Sequence, residues 1–342
     1  MKVLVTGHRG FIGTNLVPIL TKEGYDVVGL DTDLYRYCTY GDAPDSIATI
    51  NKDVRDVEPD DLKGVDAIVH LAALSNDPLG NINPDLTYDI NHKASVRIAE
   101  IAREVGVKRF LFASSCSMYG KAGDDDVLDE TANFNPVTAY AKSKVYVERD
   151  VAPMATDAFS PVFLRNATAY GVSPRIRFDL VINNLTAWAY TTGKILMKSD
   201  GTPWRPLVHI DDICQAVVCA LKAPREDVHG LQVNVGSNNE NYQMRDLANY
   251  VHEIVPNCEI EVADGAGPDK RSYRVNFDKI GKVFPTFKTT WTAREGVQQC
   301  YDSYVQHGLN KDDYEGIRYK RIAHIMNLIE ENKLDKNLRW QS

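Results

Sequence analysis

Basic charge is in short supply. Against 47 aspartates and glutamates stand 39 lysines and arginines, a formal net charge of −8. That balance argues against a nucleic-acid partner and leaves an anionic ligand needing a local basic pocket. Cysteine is sparse and scattered, at 38, 116, 214, 219, 258 and 300. No two form a C-x-x-C pair and no Cys/His cluster has zinc-like spacing, so no metal site is expected and the thiols read as reduced and mostly buried. That usage suits a cytoplasmic protein. No apolar run approaches the length of a membrane span, and no membrane partner is expected. Internal repeats and low-complexity segments are missing too. The first strand is read from residue 2, so no signal or transit peptide is expected.

What is present begins at once. Residues 2–6, KVLVT, form a short apolar run without polar alternation, the mark of a strand buried on both faces of a parallel sheet. Gly7, Gly10 and Gly13 follow, and a helical pattern runs from Phe11 to about Lys22. Strand, glycine turn and helix make a phosphate-binding device. The first glycine turns the chain, the second leaves room for a pyrophosphate, and the third lets the helix sit close on the sheet. A second buried strand, residues 26–30, ends on Asp31, where a dinucleotide fold places the acid for the adenosine ribose. A carboxylate there repels a 2′-phosphate and favours NAD over NADP, while Arg9 and Arg36 nearby pull the other way. Asp53 and Val54 fit an adenine-side pair, although a plain loop acid explains Asp53 equally well.

Residues 66–71 form another buried strand and run into Ala72-Ala73-Leu74-Ser75. Small residues at such a strand end let a cofactor backbone approach. His70 reads as core. The loop 76–84 is rich in Asn, Pro and Gly and is a candidate border of the active site. A long helical pattern from Asp85 to Val105 carries Asn91, which either faces solvent or turns its amide to the sheet. The strand 109–113 ends in Ser114-Ser115-Cys116-Ser117. Thr138 is a helix N-cap, and Tyr140 and Lys144, four apart, share one helix face. An ammonium beside a phenol favours the phenolate and fits it for proton exchange with a substrate hydroxyl near pH 7. The same spacing at Tyr190 and Lys194 encloses Thr191-Thr192-Gly193, a helix ending, and carries no such expectation.

TGHRGFIG, the strand-end Asp31, LAALS, SSCSMYG and YAKSK together resemble the extended short-chain dehydrogenase/reductase family, nearest to its nucleotide-sugar epimerases and dehydratases. The likeness covers residues 1 to about 221 well and extends loosely to about 304. It implies a Rossmann-type doubly wound parallel sheet, an α/β fold, with a smaller, discontinuous C-terminal substrate-binding domain. The division expected is 1–170 for the NAD-binding domain, with a return segment at about 208–236, and 171–207 with 237–342 for the substrate part. Tyr140 becomes the acid/base, Lys144 its cation and nicotinamide-ribose ligand, and Ser115 the assisting hydroxyl. The cofactor set adds Gly7, Arg9, Gly10, Phe11, Ile12, Gly13, Asp31, Asp53, Val54, Leu71, Ala72, Ala73, Ser75, Asn91 and Ser114. The substrate set is Ser115, Ser117, Thr168, Asn184, Arg205 and Arg271, with Arg274 the alternative to Arg271.

Two departures bear on the reaction. The family's 4,6-dehydratases carry Asp-Glu after the Ser/Thr, where this chain has Cys116 and Ser117, so dehydration is disfavoured. Many epimerases carry Asn where this chain has Thr168. The expectation is an NAD-dependent epimerase acting on a nucleotide-diphosphate sugar through a keto intermediate. The alternatives are an NAD(P)H-dependent reductase of a keto sugar or other carbonyl and, behind it, a non-catalytic NAD-binding protein. The resemblance also implies a homodimer through the helices of Asn91 and Tyr140. Arg175 and Arg177 fall in the substrate-binding part and suit a diphosphate, although surface charge explains each at least as well. Trp188 and Trp204 are candidates to stack a base but read first as ordinary core or surface residues, and the charged tail with its stripe Ile322, Ile325, Leu328 and Ile329 either packs on its own domain, the favoured reading, or meets a partner.

Overall fold

The computed structural model describes residues 1–75, 83–121, 123, 126–197, 199–263 and 272–341. Seven strands form the main sheet: β1 (Lys2–Thr6), β2 (Asp26–Asp31), β3 (Thr49–Asn51), β4 (Ala67–His70), β5 (Arg109–Ser115), β6 (Ser160–Asn166) and β7 (Leu231–Val235). All pair in parallel, in the order β3-β2-β1-β4-β5-β6-β7. Val3 sits opposite Val27 on one side and Ala67 on the other. The sheet is the doubly wound Rossmann type, and the strand order reverses between β1 and β4. Ligands of such sheets sit at that reversal, outside the C-terminal strand ends.

Both faces of the sheet are covered, which explains the unbroken apolar runs. One face packs Val3 and Val5 against Leu16, Val17 and Leu20 of the helix Phe11–Lys22 and against the helix Ile210–Lys222. The other packs Leu4, Leu30, Ile68 and Phe110 against Ile98 and Ala99 of the helix Ala94–Glu104 and Val147 and Val151 of the helix Ala139–Val151. A third apolar cluster lies off the sheet. It joins the helices Val181–Thr192, Met244–Ile254 and Ala293–Gln306 around Tyr170, Phe178, Leu207 and Tyr304. Beside it, Trp204–His209 pairs in parallel with Thr168–Tyr170 and antiparallel with Asn241–Gln243.

Three local outcomes differ from the sequence expectation. The helical pattern of 85–105 is not one α-helix: Pro84–Tyr88 and Ala94–Glu104 flank a π turn, Asp89–Lys93, which holds Asn91. Such turns recur at functional sites because they redirect one side chain. The tail, expected with the substrate part, divides: Tyr314 and Tyr319 join the off-sheet cluster, while the chain from Ile322 on packs against the seven-stranded sheet's cluster. Ile325, Leu328, Leu334 and Leu338 are buried among Leu4, Leu30 and Val54. Burying each such side chain contributes roughly 1.5–3 kcal/mol, so this docking is an integral part of the fold. Arg175 and Arg177 are not surface charge: Arg175 is 5% exposed and Arg177 lines a cavity at the C-terminal strand ends. Of the loop 76–84, residues 76–82 lie outside the described residues. The Tyr190 copy of the Tyr/Lys spacing is split, for the helix ends at Gly193 in the left-handed conformation and Lys194 opens a strand.

Candidate active site

The glycine turn is held by its neighbours. Gly7 has φ +72°, and a Cβ there would stand 2.7 Å from the Ala72 nitrogen, so turn and close approach both demand glycine. A Cβ on Gly13 would meet the Gly7 oxygen at 2.4 Å, whereas one on Gly10 would meet only that oxygen, at 3.0 Å. Gly10 is thus clear on its outer side, toward the cavity it lines. Thr6 Oγ1 accepts from the Ala72 nitrogen at 3.3 Å and bonds His70 Nδ1 at 2.7 Å, tying the end of β1 to the end of β4. No side chain caps the helix that begins at Phe11, whose amino-terminal dipole faces the same cavity. A cradle of this shape fits the pyrophosphate of a dinucleotide.

At the tip of β2, Asp31 accepts from the Arg9 nitrogen at 3.0 Å and the Asp33 nitrogen at 2.7 Å. Burial pushes its carboxyl pKa up, against the pull of those two bonds. Arg9 donates to Asp33 at 3.3 Å and Asn51 at 3.0 Å, and the Arg36 guanidinium lies 3.6 Å from the centre of the Trp340 ring. Asp53 is spoken for. Burial pushes its pKa up, but a fork of bonds from Arg55 at 2.7–2.9 Å outweighs it and holds the carboxyl below its ordinary value. Val54 beside it is buried and lines the cavity.

Strand β5 delivers Ser115, whose Oγ accepts from the Ser117 nitrogen at 3.2 Å. Thr138 caps the helix Ala139–Val151 by accepting from the Ala141 nitrogen at 3.1 Å. One turn separates Tyr140 from Lys144, and the Lys144 ammonium lies 5.4 Å from the centre of the phenol ring. It donates to the Ala113 carbonyl at 2.6 Å and rests 4.4 Å from the Phe112 ring centre. Lys144 is only 3% exposed. Burial draws its pKa down to about 7, while the charge of Glu148, one turn further on, pushes back. Glu148 is itself held by Ser114 Oγ at 2.6 Å and by the Arg165 guanidinium at 2.6–3.1 Å.

These parts open on one cavity of about 1220 Å³. Its lining takes in Gly7, Arg9, Gly10, Phe11, Ile12, Gly13, Asp31, Asp53, Val54, Leu71, Ala72, Ala73, Ser75, Ser114, Ser115, Ser117, Tyr140, Lys144, Thr168, Asn184 and Arg205. Single small-ligand pockets span about 300–1,000 Å³, so there is room for a dinucleotide and a second ligand. Ser117 Oγ and Asn166 Oδ1, both on lining residues, are buried without a hydrogen-bond partner. Orphaned polar atoms of this kind call for a ligand group. Asn184 donates to the Phe178 carbonyl and the Tyr314 hydroxyl, each at 2.8 Å, and Arg205 donates to the Trp204 carbonyl at 2.8 Å.

One expected cofactor contact comes out differently, and one expected substrate contact falls outside the described residues. Asn91 is not on the cavity wall: its amide accepts from the Leu74 nitrogen at 2.7 Å and donates to the Leu74 carbonyl at 3.1 Å and Ser143 at 3.4 Å. It fastens the strand-end loop to the Tyr140 helix. Arg271 lies outside the described residues, and its alternative Arg274 has its guanidinium 5.2 Å from the Trp204 ring centre. The sequence reading missed Asn166, Tyr35 and the tail residues Arg321 and Leu338, all on the wall, and undervalued Arg177. Arg177 donates to Ser75 Oγ and the Ser75 carbonyl at 3.0 Å and to Asp179 at 2.7 Å, and its charge acts on Tyr140. No local signal marks these; only the Arg-x-Arg spacing after β6 hinted at a basic element there.

The sequence matches the model of the "NAD dependent epimerase/dehydratase family" over residues 3–236. It is 27% identical to Protein CapI of Staphylococcus aureus, over 90% of this chain and 99% of that one. To the UDP-glucose 4-epimerase of Lactobacillus helveticus it is 29% identical, over 70% of this chain and 78% of that one. Among solved structures it resembles MoeE5 in complex with UDP-glucuronic acid and NAD, with a TM-score of 0.79 and 26% identity, covering 90% of this chain and all of that one.

Proposed function

The chain belongs to the NAD dependent epimerase/dehydratase family, and from that premise we propose that it is an NAD-dependent epimerase of a nucleotide-diphosphate sugar. The observation that carries this reading is Tyr140 and Lys144 on one helix face, lining the same cavity as the glycine cradle. When bound, NAD supplies a hydride acceptor and later returns that hydride. The glycine turn and helix terminus would hold its pyrophosphate, Asp31 its adenosine ribose, and Lys144 its nicotinamide ribose.

Tyr140 then takes the proton of a sugar hydroxyl as that carbon is oxidised to a ketone. The Lys144 ammonium stabilises the phenolate by charge, and Ser115 shares the hydroxyl's hydrogen bond. The ketone turns over in the cavity, and Tyr140 returns the proton to the oxygen after reduction on the other face. Ser117 Oγ and Asn166 Oδ1 are unpartnered groups suited to hold the sugar through that turn. Thr168, Asn184, Arg205 and Arg271 are read as the substrate's further contacts. UDP-linked sugars are the first to test, because the relatives' names carry them.

Elimination is disfavoured by Cys116. Its thiol is buried, donates to the Arg165 carbonyl at 3.1 Å and is pushed far up by burial, so it offers the reaction no acid. NAD is favoured over NADP because both arginines near the ribose site are engaged, Arg9 with Asp33 and Asn51, Arg36 with Trp340. The reading includes a homodimer built on the helices of Asn91 and Tyr140, which sedimentation would test. Among the described residues no helix is long and apolar enough to cross a membrane.

The deciding experiment denatures purified protein, identifies released dinucleotide, and screens activated sugars by product NMR. Inversion at one carbon with no net consumption of NAD supports the reading. Stoichiometric consumption of added NADPH by a keto sugar replaces it with a reductase. Absence of any dinucleotide binding sinks it.

A further inference from the structure

We propose that the C-terminal segment 320–341 is a strap that retains the dinucleotide, closing the adenosine half of its crevice while leaving the sugar half open. The proposal rests on the dinucleotide reading of the glycine cradle given above.

The segment has an anchor and a latch. The anchor is the helix Arg321–Glu330 with the turn after it: Ile325, Leu328 and Leu334 are at most 2% exposed, in the cluster that holds Leu4, Leu30 and Val54. The latch is the last few residues. Leu334 and Trp340 form an antiparallel bridge, and the Asp335 nitrogen donates to the Arg339 carbonyl at 2.9 Å, so the chain end doubles back as a small loop. That loop grips the two chain turns that flank the adenosine site. Trp340 Nε1 donates to the Thr32 carbonyl at 2.6 Å, beneath the Arg36 guanidinium. Arg339 donates to Asp56 at 3.0 Å, and Arg55 donates to the Asn337 carbonyl at 2.9 Å.

Two observations give the grip a purpose beyond packing. Arg321, Ile322, Ala323 and Leu338 line the same cavity as Gly10 and Asp31. Leu338 does so at φ +58°, a left-handed conformation that a branched side chain adopts only under constraint. Strain of that kind collects at ligand clamps. The Arg321 guanidinium lies 4.2 Å from the Tyr35 ring centre, and Ile322 and Leu338 share an apolar cluster with Leu34 and Val54. Leu196, Met197 and Arg205 of the same cavity wall come from the strands Lys194–Met197 and Trp204–His209, not from the strap. An enzyme that oxidises and re-reduces the same molecule must keep its dinucleotide between the two half-reactions and still exchange its sugar. One ligand under a strap and one open mouth provide that division.

The test uses full-length protein loaded with NAD and chased with isotope-labelled NAD. Replacing the latch by Arg339→Ala with Trp340→Ala leaves the anchor in place. Losing a cation–π contact, three hydrogen bonds and the ion pairs of Arg339 with Asp53 and Asp56 should speed dinucleotide release about tenfold or more. Trp340→Phe keeps the ring under Arg36 and should fall between. Release within twofold of the parent from a folded double variant overturns the strap. A second measurement needs no variant: amide hydrogen exchange over 331–341 should slow several-fold when NAD is added, and exchange indifferent to NAD likewise overturns it. The underlying reading fails separately, since a parent protein with no saturable NAD binding removes the site itself. A parent that binds NAD and releases it at a latch-independent rate removes only the strap.

Discussion

Lys144→Met should make the dinucleotide-free protein more stable while ending its activity. The lysine ammonium is buried against Phe112 with one carbonyl partner, and its pKa falls from 10.5 to about 7. Each pH unit of such a fall is worth about 1.4 kcal/mol, so near neutral pH burial of the charge costs the fold on the order of 4 kcal/mol. Methionine keeps most of the stem's packing and removes the charge. It also strands the Ala113 carbonyl, which costs about 1–3 kcal/mol. The net expectation is a gain of about 1–3 kcal/mol at pH 7, read by urea unfolding at 25 °C on protein stripped of dinucleotide. The sign has a pH signature. Between about pH 7 and 10.5 the unfolded chain holds a proton on Lys144 that the folded chain has lost, so the parent gains stability as pH rises. The variant's advantage should therefore shrink steadily from pH 7 to 9.5. A variant less stable than the parent at pH 7, or an advantage that does not change with pH, would refute the argument that burial of this charge is a cost carried for function.

Tyr140→Phe removes the proton carrier and nothing else from the wall. It should lower turnover by about 10²–10⁴-fold with NAD content unchanged, as read by single-turnover NADH formation and by dinucleotide analysis; retained activity would point to a sensor or another acid. Gly7→Ala puts a Cβ 2.7 Å from the Ala72 nitrogen at φ +72°, and should cost both NAD affinity, by calorimetry, and thermal stability. Asn91→Leu strips the Leu74 nitrogen and carbonyl of their buried partners, a loss of about 2–6 kcal/mol in chemical unfolding at roughly 1–3 kcal/mol per stranded group. Arg177→Gln releases the fork on Asp179 and Ser75 beside the phenol; the pH profile of kcat should shift to higher pH as Tyr140 loses a neighbouring cation.

The parts legible from sequence are those in which one local run of residues does one job. The run KVLVT followed by GHRGFIG dictates a buried strand, a turn that only glycine allows and a helix beginning at an anion site. Thr138, Tyr140 and Lys144 lie on one helix, so the cap and the shared face follow from a period of 3.6 residues. Asp31 follows from the length of one strand–helix–strand unit. Other features are decided by contacts between residues far apart in the chain. Whether Arg177 is a surface charge or a wall beside Tyr140 depends on where Ser75 and Asp179 come to rest. Asn91 turns inward only because a π turn widens its helix opposite Leu74. Asp53 looked free for adenine until Arg55 folded back on it. The tail's stripe announced a buried face without naming its partner, because hydrophobic burial has no direction and any apolar surface satisfies it. Sequence alone thus determined the sheet's first turn and the Tyr/Lys helix. Tertiary structure alone decided that the end of the chain returns to the dinucleotide crevice, since that choice was made by shape complementarity between segments some three hundred residues apart.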